Sequence, residues 1–301
     1  MTVLFMKIKA RSEGYSNLFI HVYLIASFGF LAAFFIFPIA LSIYYSFTNL
    51  SLYNIYQFSF VGLRNYISLF TSRSFLNSFY ITMLFLFLSA IVGQAMLGLV
   101  LAYMLNTVRS YFRTVVTTSL LLAWATPQVT AGILWYTTLS IQPPGVVNLI
   151  LSSFGLHAVN FLGIRYAIFS IIVANIWLGL AFSVLIYMAG IQNINPSTIK
   201  SSIVDGAGPV SRFIHIVVPQ LKNSILMDVI LITLFTLGTF TMVFTLTGGG
   251  PAETTNLLTI YQYYTAFSFF DIGLGSAIGT IVICVAIVLS FLYIRIMRVG
   301  V

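Results

Sequence analysis

Six long stretches of this 301-residue chain run almost without charge, at approximately 18–47, 75–106, 113–139, 167–191, 224–247 and 274–297. An α-helix needs about 20 apolar residues to cross the hydrocarbon core of a bilayer, and each stretch reaches that length. The runs are too long and too uniformly apolar for the alternating strands of a membrane barrel. The expected fold is therefore all-α, a multi-pass membrane domain with six crossings. Composition excludes the alternative. Only 6% of residues are charged and 60% are hydrophobic, against about 25% charged in ordinary soluble domains. So few charges cannot cover a water-facing surface of this size.

Lys and Arg set the orientation, because they collect on the cytoplasmic side of membrane helices. With the N-terminus inside, the inner positions hold Lys7, Lys9, Arg11, Arg109, Arg113, Lys200, Arg212, Lys222, Arg295 and Arg298, and the outer side holds Arg64, Arg73 and Arg165. This assigns the net charge of +8 to topology and gives no ground for a nucleic-acid partner. Residues 1–17 are expected as a cytoplasmic tail. The apolar run after them exceeds the roughly 7–15 residues of a cleaved signal and is read as a retained first helix. Loops 48–74, 142–166 and 248–273 fall outside, and 192–223 is the longest inner loop. The single cysteine, Cys284, excludes a disulfide framework.

The inner loop is the most informative segment. Asn195-Pro196-Ser197 reads as a helix start, Asp205-Gly206-Ala207-Gly208-Pro209 as a break, and Ser211 as the N-cap of a second short helix ending near Pro219. Small residues at the corner would let another protein's backbone come close. A plain re-entry loop fits the residues alone equally well.

Lys200-Ser201-Ser202, then Gly206 and Ile216-Val217-Val218-Pro219, resembles the EAA motif of ABC importer permeases. Asp205-Gly206-Ala207 matches the frequent Asp-Gly-Ala. Lys200 replaces the motif's acid, and serines replace both alanines. Phe60-Val61-Gly62-Leu63-Arg64-Asn65-Tyr66, Asn175-Ile176-Trp177-Leu178-Gly179 and Leu246-Thr247-Gly248-Gly249-Gly250-Pro251 resemble the maltose-type (MalF-like) branch of sugar permeases, with order and spacing kept to about Arg298. The resemblance implies a type I (MetI-like) permease with its transport domain at 75–297. It also implies a second, distinct permease chain, two ATP-binding subunits and an extracellular sugar-binding protein. Lys200, Ser201, Ser202, Asp205, Gly206, Ala207, Ile216 and Pro219 would then couple to the ATPases. The implied function is import of a sugar across the plasma membrane, with both termini cytoplasmic. Polyols and glycerophosphodiesters are carried by related branches.

Within the spans no enzyme constellation is found: no His-Glu-x-x-His, no Gly-x-Ser-x-Gly, no phosphate loop and no metal-like spacing of His21, His157 and His215. No cofactor is expected, and ATP hydrolysis falls to separate subunits. Proton-driven transport usually leaves ionisable residues within the membrane, and the one acid in a span, Asp228 near a helix end, is read as solvated; the rival reading is a stand-alone secondary transporter or channel. Gln94 and Asn175 read as bonds between neighbouring helices, and Trp124 and Trp135 as anchors or packing, whereas Trp177, Gly179 and Phe182 are candidates for a sugar site or for packing. Thr233, Thr236 and Thr239 recur at three-residue spacing on one helix face, where packing and sugar binding are both open. The resemblance implies that Leu178, Gly179, Phe182, Thr236, Thr239 and Thr241 face the sugar.

Overall fold

A computed structural model describes residues 21–297, so the tail 1–17, residues 18–20 and Arg298 lie outside the described residues. The elements are helices α1 His21–Tyr45, α2 Arg64–Thr71, α3 Arg73–Thr107, α4 Ser110–Trp124, α5 Gln128–Leu139, α6 Val146–Ser153, α7 Ala167–Gln192, α8 Pro196–Val204, α9 Pro209–Gln220, α10 Lys222–Leu237, α11 Thr241–Thr247, α12 258–268 and α13 Ile272–Met297. Among the described residues, extended pairing is confined to the isolated bridges Thr48–Phe60 and Ser51–Asp271.

Four helices (α1, α3, α7 and α13) are each long and apolar enough to cross a membrane uninterrupted. The other two expected spans are broken, which corrects their reading as continuous helices. The third stops at Trp124 and restarts at Gln128, because Pro127 has no N–H to donate and its ring crowds the preceding turn. The fifth stops at Leu237 and restarts at Thr241 after Gly238. Unpaired backbone at membrane depth is tolerated where it lies against protein or a cavity. Both breaks meet that condition, as shown below.

The core runs in layers through the bundle. Ile81 and Phe85 of α3, Ala131 of α5, Ile171 and Ala174 of α7, and Met242 and Leu246 of α11 pack as one cluster. Ala102, Leu105, Val184, Tyr187, Val217 and Leu221 form another beneath it. Close approach depends on small residues, as expected where lipid gives helices no hydrophobic drive to associate. A Cβ on Gly132 would stand 2.7 Å from the Thr245 Cβ and 2.9 Å from the Met242 carbonyl. Gly132→Val should therefore force α5 from α11 and cost about 1–3 kcal/mol. Thermal unfolding of the purified chain tests this, and an unchanged midpoint would refute it.

Helix α1 stands apart. None of its most apolar stretch is buried. Its C-terminal half lies against α13, and the loop that follows fastens its end. Asn65 Nδ2 donates to the Ser46 and Thr48 carbonyls, both at 2.8 Å. The Tyr66 and Ser46 hydroxyls pair at 2.7 Å. Gly62 supplies the turn with φ +60°. The Phe60–Tyr66 signature therefore pins the turn that follows the helix, Ser46 to Thr48.

Candidate functional site

The two breaks face one another across a cavity of about 620 Å³. Helix α3 brings Gln94, the first break brings Thr126, Pro127 and Gln128, and α7 brings Asn175, Leu178, Gly179 and Phe182. Helix α10 and its break bring Phe235, Thr236, Gly238 and Thr239. Over Phe87–Met96 helix α3 opens into wider π-type turns, which place Ser89 and Gln94 inward. Such widened turns gather at functional sites.

The wall is uncharged, and ordered polar groups are set into it between apolar side chains. Gln94 Nε2 donates to the Asn175 carbonyl at 3.2 Å, Asn175 Nδ2 to Ser89 Oγ at 3.0 Å, and Ser89 Oγ to the Phe85 carbonyl at 2.7 Å. Gln94 and Asn175 thus bond α3 to α7, as their positions predict, and they line the cavity as well. Gly179 leaves room for the Gln94 carboxamide, which a Cβ there would displace. Phe182 and Phe235 meet edge to face at 5.4 Å between ring centroids and form an aromatic wall. No Asp, Glu, Lys, Arg or His lines the cavity. Carboxamides, hydroxyls and aromatic faces without a formal charge suit a neutral, polyhydroxylated solute.

Of the six residues that the resemblance implied for solute contact, Leu178, Gly179, Phe182, Thr236 and Thr239 line this cavity, and Thr241 does not. Thr241 opens α11 beyond the break, and its carbonyl accepts from Thr245 Oγ1. Thr233 also departs from the expected shared face: it is buried and its hydroxyl pairs with Tyr293 at 3.3 Å. Sequence reasoning passed over Thr126 and Pro127. The signal was present, since a proline inside an apolar run breaks a helix and gathers polar neighbours. Trp124, read as an anchor or packing, lines the cavity too, whereas Trp135 and Trp177 do pack together at 6.1 Å. Asp228 is not solvated. It is fully buried and accepts from the Tyr187 hydroxyl.

At the other end of α7, the Asn195 side chain accepts from Ser197 N at 3.0 Å and starts α8. Gly206 then turns the chain at φ +78°. The second helix begins at Pro209, capped by Gly208, and not at Ser211. The fixed φ of proline suits a first turn, and this outweighs the capping preference of serine. Helix α9 also runs past Pro219 to Gln220, then bends by 74° into α10. Tyr103 ties the corner to α3, with its hydroxyl donating to the Pro209 carbonyl at 2.9 Å and its ring 4.9 Å from Phe213. Lys200, Ser201, Asp205, Gly206 and Pro219 are exposed, Ala207 and Ile216 half-buried, and Ser202 buried. Ile203, Val204, Val210 and Ile214 expose apolar surface around them. Arg113 lies against this end, donating to the Leu105 and Asn106 carbonyls, the kind of cationic capping that favours a helix C-terminus.

A membrane helical domain with broken spans around a neutral cavity, and with a paired-helix projection at one end, describes a transport subunit without chemistry of its own. The chain belongs to the binding-protein-dependent transport system inner membrane component family, whose model matches residues 94–299. It is thus a multi-pass permease subunit of an ABC importer and not an enzyme. It is 33% identical over 264 residues to the sulfoquinovosyl glycerol transport system permease protein SmoG of Agrobacterium fabrum, covering 87% of this chain and 85% of that one. It is 33% identical over 242 residues to the trehalose/maltose transport system permease protein MalF of Thermococcus litoralis, covering 79% and 80%. Its fold superposes on a chain of a bacterial alginate ABC transporter in complex with an alginate pentasaccharide-bound periplasmic protein. That match has a TM-score of 0.82 and 25% identity, and covers 96% of this chain and 99% of the other.

Proposed function

We propose that this subunit imports a neutral sugar, received from an external binding protein. It works as one of two dissimilar permease chains seated on two ATPase subunits. The observation that carries the reading is the uncharged, hydrogen-bonding cavity at the facing helix breaks. A glycerophosphodiester or an acidic sugar would call for a cation there, and none lines it. In this reading Leu178, Gly179, Phe182, Thr236 and Thr239 contact the solute. Thr241 sits outside that wall. The trehalose and maltose in the name of the Thermococcus litoralis relative are sugars of this neutral class, whereas sulfoquinovosyl glycerol and alginate, named for other relatives, are anionic. The transport domain spans 75–297, and 48–74 forms an external loop. Both termini are cytoplasmic, in keeping with the distribution of Lys and Arg. The uncovered face of α1 lies in lipid and against the second permease.

The corner in 192–223 is the coupling element. Its exposed apolar residues offer a docking surface, and α9 leads directly into α10, which carries Phe235 and Thr236 into the cavity wall. Closure of the ATPases on ATP would tilt this lever and change the side to which the cavity opens. Alternation between two such states needs only a ligand with different affinity for each.

Gly206→Leu tests the coupling. A side chain at φ +78° costs about 1–2 kcal/mol locally and adds bulk where an ATPase surface must approach. The variant should insert normally yet lose ATP-driven uptake and retain little ATPase on copurification. Wild-type uptake by this variant would overturn the assignment. If the lone wild-type chain moves sugar in proteoliposomes without ATP, the secondary-transporter reading replaces it.

A further inference from the structure

Beyond the transport cavity, a smaller one of about 250 Å³ lies at the outer end, under the triple glycine that follows α11. Glu253, Asn256, Tyr261, Tyr264 and Phe269 line it. Asn256 is 6% exposed, yet its Oδ1 accepts no hydrogen bond. Burying an acceptor unpaired is unfavourable, so the group is built for a donor that arrives from elsewhere. The backbone beside it is held in an unusual pose. Ala252 and Glu253, neither of them glycine, sit at φ +49° and +60°. Strain of this kind persists at sites of function. Glu253 is exposed and makes no ion pair among the described residues. The other outer acid, Asp271, is engaged, because its Oδ1 accepts from Leu274 N and starts α13.

We infer that this cavity receives a single cationic side chain, lysine or arginine, from the external binding protein as it docks. The inference rests on the proposed function for both the orientation and the partner. A carboxylate and a buried amide oxygen accept the donors of such a side chain. Tyr261, Tyr264 and Phe269 line the same space, and aromatic rings attract a nearby cation. A calcium ion fits less well, since it seeks six to eight oxygens and gains nothing from aromatic walls. The available volume matches one long side chain.

The test uses the assembled importer in proteoliposomes, with ATPase activity measured against binding-protein concentration. Glu253→Gln should raise the half-saturating concentration about tenfold, and Glu253→Arg should raise it further. Basal and maximal rates should be unchanged, and 0.5 M salt should shrink the difference. Reversing one basic residue on the binding protein should restore Glu253→Arg. Unchanged half-saturation in both variants would overturn the inference. So would a dependence on added calcium that Glu253→Gln abolishes, because the occupant would then be a metal ion. Asn256→Leu, which leaves the charge in place, should weaken docking with the same unchanged maximum. If no binding protein stimulates the wild-type complex, the proposed function itself has failed; if stimulation is intact and Glu253 is irrelevant, only this site has.

Discussion

Tyr187→Phe should lower the thermal midpoint of the purified permease by about 5 °C, although it removes a single oxygen. Tyr187 and Asp228 are both fully buried, on α7 and α10. The tyrosine hydroxyl donates to Asp228 Oδ2, and Oδ1 accepts no hydrogen bond. Phenylalanine would keep the ring packed among Val217, Leu221 and Ala102 while leaving the carboxyl without its donor. Orphaning a buried charged or strongly polar group costs about 2–3 kcal/mol. Asp228→Leu should cost a similar amount by leaving the phenol unpaired. Asp228→Asn, which keeps an acceptor, should cost about half as much. The decisive measurement is the double variant Tyr187→Phe/Asp228→Leu. Removing both partners should be milder than the sum of the single changes by about 2 kcal/mol, and strict additivity would show that the two side chains do not act as a pair. The clasp joins the helix carrying Gly179 to the helix carrying Thr236, so weakening it should also loosen the cavity wall.

The contrast between Asp228 and Asn65 shows where sequence reading succeeds. The apolar runs at 75–106, 167–191 and 274–297 were legible because hydrocarbon thickness imposes a length, and the observed helices end within a few residues of those bounds. The Gly206 corner was legible because glycine and proline act on the backbone locally. Asp228 was misread because burial is decided by what another helix places opposite, and Tyr187 lies 41 residues away. The resemblance placed Asn65 within a signature, but its role of binding the carbonyls of the turn just after α1 needed the coordinates. The breaks at Pro127 and Gly238 fall between. Both residues were visible, but apolar neighbours on each side argued for continuous spans, and only the cavity explains why the interruptions are tolerated. Thr241, the first residue of α11 after the break, lies outside the cavity lining although the resemblance grouped it with Thr236 and Thr239.

Gly179→Leu should cut sugar uptake by about 100-fold, equivalent to roughly 2.7 kcal/mol, without loss of membrane insertion or of assembly with partner subunits. Any Cβ at this position meets the Gln94 carboxamide. Gln94 must then swing away and give up its bond to the Asn175 carbonyl, while the leucine branches fill part of the 620 Å³ space. Both effects fall on the cavity and neither on the helix ends. Gly179→Ala separates them. Its methyl barely narrows the space but still displaces Gln94, so uptake should fall by about tenfold if Gln94 orders the solute's hydroxyls. Combining Gly179→Ala with Gln94→Ala removes the collision, and should then be no worse than Gln94→Ala alone. Basal ATPase of the assembled complex is the control, and it should remain at the wild-type level in all four variants. If Gly179→Leu transports normally, the solute does not pass this wall, and the cavity at the helix breaks is a packing defect and not the route.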